Sequence, residues 1–241
     1  MLKTALRSGL IALVLAAGLA RAEQPWTFDN NTRYLALGDS LAAGYGAMPG
    51  TNGYTYILYR EGVYDKISNT LFANAAVPGA TSRDVLDHQL PQVPRFPPHV
   101  VTLSVGGNDL LAVLAGGDPG VILPALFNNL GAILFKLCTE VAPGARIYIG
   151  NLYTIRDFPV STDELVAFFN GNLALIVAGA NATFCANNVG IADVFTAFGG
   201  FDGPQQGLLL VNRTGAGALE VHPSNAGYRA MAAAYKAAHS Q

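Results

Sequence analysis

The chain has 241 residues, 51% of them hydrophobic and only 12% charged, with 27 glycines and 13 prolines. That composition excludes a disordered chain and suits a folded one with a full core. With a formal net charge of -2 and no basic run in the folded region, the electrostatic footprint of a nucleic-acid binder is missing, and substrates are expected to be neutral or apolar.

In chain order, residues 1–22 read as a secretory signal. Lys3 and Arg7 form a charged start, residues 10–19 an apolar stretch, and Ala20-Arg21-Ala22 the small-x-small cleavage pattern. The uncharged run 8–20 falls short of the about 20 apolar residues of a membrane span, and no later segment reads as one, so no stable membrane insertion is expected. No cysteine near the cleavage pattern offers a lipid anchor. Residues 23–241 are expected to form one domain, monomeric and exported to the periplasm or beyond.

Five short runs suit strands: "YLAL" (34–37), a weaker "TLFAN" (70–74), "VVTLSV" (100–105), "RIYIG" (146–150) and "GIADVF" (190–195). They are continuously apolar rather than alternating, as strands covered on both faces are. Helix-length segments lie between and after them at 54–65, 82–89, 119–141, 162–186 and 224–238, with "STDE" (161–164) offering a capping box and Pro143-Gly144 a stop. The alternation predicts an α/β fold, a three-layer α/β/α sandwich around a mainly parallel five-stranded sheet. The Gly-rich stretch 197–218 reads as a long loop leading into His222, regular only around 207–211. Cys138 and Cys185, an even pair in an oxidising compartment, are expected to form a disulfide between two helical segments, the alternative being two buried thiols.

In such sheets ligands bind beyond the carboxyl ends of the strands. Three polar or glycine-rich corners, "GDSLAAGYG" (38–46), "AVPGATS" (76–82) and "GGNDLL" (106–111), are expected to face one crevice there. Neither dinucleotide nor phosphate-loop spacing occurs, and Ala42 stands where a G-x-S-x-G elbow needs its second glycine. No cofactor or metal is called for. By this corner alone Ser40 is either a nucleophile or the cap of the next helix. A serine nucleophile needs a base within reach. His99 opens the third strand at the wrong end of the sheet, His88 sits within a helix and His239 in the tail, whereas His222 ends a loop and precedes a helix start, "PSNAGYRAMAAAY", that can hold it.

Together "GDSLAAGYG", Gly79 in "AVPGATS", "VGGND" with Asn108 and "VHPSNAGY" with His222 resemble, in order and spacing, the four blocks of the GDSL or SGNH hydrolases, in particular their secreted bacterial branch. The resemblance spans nearly the whole of 23–241 and implies a flavodoxin-like SGNH fold. It implies Ser40 as nucleophile, His222 as general base, and an oxyanion hole of the Ser40 and Gly79 backbone N–H groups with the Asn108 side-chain amide. The chain departs from the pattern where the family has an aspartate three residues before the histidine, because Leu219 stands there. Glu220 is the nearest acid, the alternative being a backbone carbonyl that orients the ring. Asp39 and Asp109 read as local turn-holders, while Asp193 is less easily placed.

Leu41, Tyr45, Met48 and Tyr54 on one side and Leu110, Leu111, Val113 and Leu114 on the other are either walls for an acyl chain or core positions. The leading expectation is a secreted serine esterase or lipase acting on a small-molecule or lipid ester through an acyl-enzyme. A carbohydrate acetylesterase comes second, and from another class a catalytically weak binding protein with the same fold.

Overall fold

The computed structural model describes residues 30–155, 162–202, 207–210 and 221–240. Five parallel strands, β1 (Thr32–Gly38), β2 (Thr70–Asn74), β3 (Val100–Ser104), β4 (Arg146–Gly150) and β5 (Val189–Ala192), lie in the order β2-β1-β3-β4-β5. Around them run α1 (Ser40–Ala43), α2 (Tyr54–Arg60), α3 (Ser82–Asp84), α4 (Gly107–Leu114), α5 (Pro119–Lys136), α6 (Asp163–Thr183), α7 (Val194–Ala197) and α8 (Asn225–His239). This is the expected three-layer α/β/α sandwich. The strand order reverses direction between β1 and β3, which opens the crevice where such folds bind ligands.

Period-2 side-chain alternation sends successive strand residues into two cores. Leu35 and Leu37, Val101 and Leu103, and Ile147 and Ile149 pack beneath α4, α5 and α6, with Leu126, Leu130, Phe169 and Leu173 among the covering side chains. Tyr34, Val100 and Tyr148 face the other way, toward α2, α7 and α8, where Tyr54 and Tyr235 stack with ring centroids 4.6 Å apart. Both faces are apolar because both are covered, which is why the strand runs are continuous rather than alternating.

Several boundaries differ from the sequence expectation. The last strand stops at Ala192, because Asp193 accepts a hydrogen bond from the Thr196 backbone N–H at 3.1 Å and starts α7 where "DVF" reads as strand. Helix α2 ends at Arg60, the chain turning out through Gly62. Helix α4, hidden by the paired glycines at its start, is a regular element. The expected capping box at 161–164 is not the start of α6: Thr162 is its N-cap, makes no side-chain cap bond, and places its hydroxyl 3.0 Å from the Ile155 N–H, while Ser161 lies outside the described residues. By length and composition alone the segments Pro119–Val141 and Asp163–Thr183 are each long and apolar enough to cross a membrane, where the sequence expectation has no such segment after residue 22. Both lay Leu and Phe side chains against the sheet.

Cys138, in the π-helical turn Leu137–Val141 that extends α5, is bonded to Cys185, just past α6, so the disulfide joins the two expected helical segments. It closes a separation of 47 residues, which in the chain-entropy picture is worth about 4 kcal/mol at most. Replacing both cysteines by serine is expected to lower the unfolding free energy by about 2 to 4 kcal/mol, read by urea titration. An unchanged midpoint would mean that the bond constrains nothing the fold does not already hold.

Candidate active site

β1 ends in a corner that only glycine fits. Gly38 has φ +125°, and a Cβ there would stand 1.9 Å from the Ser104 carbonyl oxygen. Its peptide groups are held by the Gln89 amide, which accepts from the Gly38 N–H at 2.7 Å and donates to the Gly38 carbonyl at 2.7 Å. The next residue, Asp39, donates its N–H to the Ser104 carbonyl at 3.0 Å. Its carboxylate accepts from the Leu41 N–H at 3.0 Å and from the Ser104 hydroxyl at 3.2 Å, so Asp39 and not Ser40 caps α1. Ser40 is therefore the first helical residue, and its hydroxyl is left for another partner: the Oγ lies 2.8 Å from His222 Nε2.

His222 comes from a segment fastened on several sides. Its carbonyl accepts from the Leu210 N–H at 2.9 Å, and Leu209 and Pro223 form an antiparallel bridge. Tyr153 donates its phenol proton to the Val221 carbonyl at 2.5 Å. Ser224 then caps α8 by accepting from the Ala226 and Gly227 N–H groups at 3.1 and 3.2 Å. The Tyr45 ring lies against the imidazole, centroids 4.5 Å apart, and Tyr228 donates to the Tyr45 carbonyl at 2.7 Å.

Gly79, with φ +86°, sits in the loop after β2 and is exposed, with nothing within 4 Å of where a Cβ would stand. The loop is anchored to the first corner through the Val77 N–H, which donates to the Gly38 carbonyl at 3.0 Å. It is anchored to the third corner twice. One Asn108 amide proton goes to the Ala80 carbonyl at 2.9 Å, and the buried Asp109 carboxylate accepts from the Ser82 N–H at 2.9 Å and the Ser82 hydroxyl at 2.7 Å. Asn129 of α5 donates to the same hydroxyl at 3.0 Å. Burial raises the Asp109 carboxyl above its ordinary value against the opposing Ser82 bonds.

The structure thus brings Ser40 and His222 into contact and ties Asn108 to the loop that carries Gly79. Glu220 lies outside the described residues. Asp39 and Asp109 do hold turns, Asp109 by a longer reach than expected. His99 accepts from the Arg33 N–H at 3.0 Å and His239 meets the Tyr148 hydroxyl at 2.8 Å, both away from Ser40. Of the apolar candidates, Leu41, Leu110, Leu111 and Leu114 line a cleft that opens beside Asn108, closed on the far side by Leu165 and Val166. Tyr54 is core instead, Tyr45 packs on the imidazole, and Met48 is exposed with its backbone paired to the Asn225 amide. Sequence reasoning missed Gln89, Tyr153 and the Ser82 hydroxyl, whose contacts span 51, 68 and 27 residues and leave no local signature. Among the described residues, no three His, Cys, Asp or Glu side chains cluster as metal ligands would.

The GDSL-like lipase/acylhydrolase family model matches residues 36–230. Among solved structures, the chain is similar to the lipase Lip_vut3 from a goat rumen metagenome, with 24% identity, 86% of this chain and 97% of that one covered, and a TM-score of 0.58. A putative GDSL-like lipase from Parabacteroides merdae gives 20%, 88%, 96% and 0.65, and a variant of the Geobacillus acetyl-xylooligosaccharide esterase Axe2 gives 19%, 87%, 94% and 0.64. At these identities the likeness is one of fold. No curated protein matches the chain.

Burial pushes the Asp39 carboxyl up to about 7, outweighing the hydrogen bonds it accepts from the Leu41 N–H and the Ser104 hydroxyl. The native chain then keeps this proton at pH values where the unfolded chain has released it. Relative to Asp39→Asn, the wild type is expected to lose a few kcal/mol of stability as pH rises from about 4 to about 7, and none beyond. Paired unfolding curves across that range check it, and a difference that stays flat would show Asp39 ionised throughout.

Proposed function

Because the chain belongs to the GDSL-like lipase/acylhydrolase family, we propose that it is a serine hydrolase cleaving carboxylic esters through an acyl-enzyme, with Ser40 as nucleophile and His222 as base. The observation that carries this is the 2.8 Å contact between Ser40 Oγ and His222 Nε2. A serine hydroxyl is a weak nucleophile at neutral pH and gains from a base at that distance. As Ser40 Oγ attacks the ester carbon, its proton passes to His222 Nε2 and the carbonyl oxygen becomes an oxyanion. The Ser40 and Gly79 N–H groups and the second amide proton of Asn108 are its proposed donors. Such donors, fixed before the reaction, contribute about 3 to 4 kcal/mol each where measured. The oxyanion collapses, His222 returns the proton to the leaving alcohol oxygen, and water repeats the sequence on the acyl-enzyme.

The imidazolium formed on the way needs its far nitrogen held. Glu220 is the proposed partner, two residues before His222 in the chain. The reading extends to an exported protein with 1–22 as its signal and 23–241 as one hydrolase domain. The Cys138–Cys185 bond supports this, since disulfides persist in oxidising compartments.

Ser40→Ala and His222→Ala are each expected to lower kcat/KM on a soluble aryl ester at least 100-fold without altering the circular dichroism spectrum. Their double variant should be no worse, since members of one catalytic unit do not add. Asn108→Ala should lower kcat by about 100- to 1,000-fold with KM nearly constant. Activity of Ser40→Ala above a hundredth of wild type would remove the nucleophile assignment.

Glu220→Gln should cut kcat strongly by favouring the wrong imidazole tautomer. If it keeps at least half of wild-type turnover with an unmoved pH profile, a backbone carbonyl orients the ring and the site is a dyad of Ser40 and His222.

A further inference from the structure

The cleft beside Asn108 has a direction. Asn108, Leu111 and Leu114 follow one another at three-residue steps, so they share one face of α4, with Leu165 of α6 across from them. From Asn108 to Leu114 the helix rises about 9 Å, a length that roughly eight carbons span, since a zigzag chain of about 1.5 Å bonds advances about 1.25 Å per bond. Its floor is made of Leu110, Leu152 and Val166, all buried.

The polar groups in its walls face the protein. The Asp39 carboxylate is bonded to the Leu41 N–H and the Ser104 hydroxyl, the Tyr153 phenol to the Val221 carbonyl, the Thr162 hydroxyl to the Ile155 N–H, and one Asn108 amide proton to the Ala80 carbonyl. A sugar placed there would lose water from its hydroxyls and find, among the described lining residues, few replacement partners beyond the second Asn108 amide proton, which is costly, whereas methylenes lose nothing.

Resting on the serine-hydrolase reading, we propose that this cleft holds the acyl chain of the substrate, an unbranched aliphatic group of medium length, and that Leu114 limits its length. Reaction chemistry favours the acyl part over the alcohol. The alcohol takes its proton from His222 and leaves, and water must then reach the acyl carbon by that side. A cleft floored by buried side chains suits the part that stays bonded to Ser40 between the two steps.

The test uses the purified chain and p-nitrophenyl esters from acetate to dodecanoate, with ethyl to octyl acetates as the alcohol series and an acetylated xylo-oligosaccharide as the sugar ester. The cleft predicts that kcat/KM rises roughly fourfold per acyl methylene to about octanoate and then levels off, with little response to alcohol length. Leu114→Trp should lower the octanoate to butanoate ratio about tenfold. Leu165→Trp, from the facing wall, should do the same if the first variant does not fold. A small alkyl phosphonate that labels Ser40 in these proteins keeps the two ideas apart. Labelling with a flat acyl profile, with dependence on alcohol length, or with preference for the sugar ester overturns the acyl cleft alone. Absence of labelling in the wild type overturns the hydrolase reading beneath it.

Discussion

The site depends on the way the chain crosses Gly38. A carbonyl of β3 occupies the space where a side chain would begin, 1.9 Å from the Cβ position, and the Gln89 amide takes both the N–H and the C=O of the same residue. These backbone groups are buried, and leaving one unpaired costs about 1 to 3 kcal/mol. Any other residue at this corner would push β1 from β3, and with it the start of α1. The turn is thus determined by packing and by hydrogen bonds at once, which fixes the direction in which Ser40 leaves the sheet.

From that corner the polar groups are arranged so that each structural task has its own side chain. Asp39 caps α1, leaving the adjacent hydroxyl for His222. Asp109 and one amide proton of Asn108 hold the second loop, so that the other amide proton is not needed for that task. Tyr153 holds the Val221 carbonyl just before the histidine, and Ser224 caps the helix after it, so the imidazole is positioned without using its Nε2. Groups fixed in this way need little reorganisation when charge develops between them, which is the physical content of preorganisation.

The layered fold was legible because burial on both faces writes itself into each strand as an uninterrupted apolar run. The three corners were legible because glycine, hydroxyl and amide gather at strand ends, and His222 because it ends a loop before a helix start and completes the four-block resemblance. What escaped was either masked by local composition or long-range. Gly106 and Gly107 read as loop although α4 begins there, and "DVF" reads as strand although Asp193 caps a helix. Tyr54 and Tyr45 have the same character in sequence, yet one stacks in the core on Tyr235 and the other lies on His222. Gln89, Tyr153 and Ser82 act on partners 51, 68 and 27 residues away, and no periodicity or propensity encodes such pairings.

Ser40 and His222 are 182 residues apart, one on the first strand's exit and the other at the entry to the last described helix. A chain emerging from the ribosome at about 5 to 20 residues per second carries its hydroxyl for many seconds before the imidazole exists. The proposed chemistry is thus withheld from the growing polypeptide by connectivity. Bringing the two side chains together requires the packing of α8 against α2 and β5.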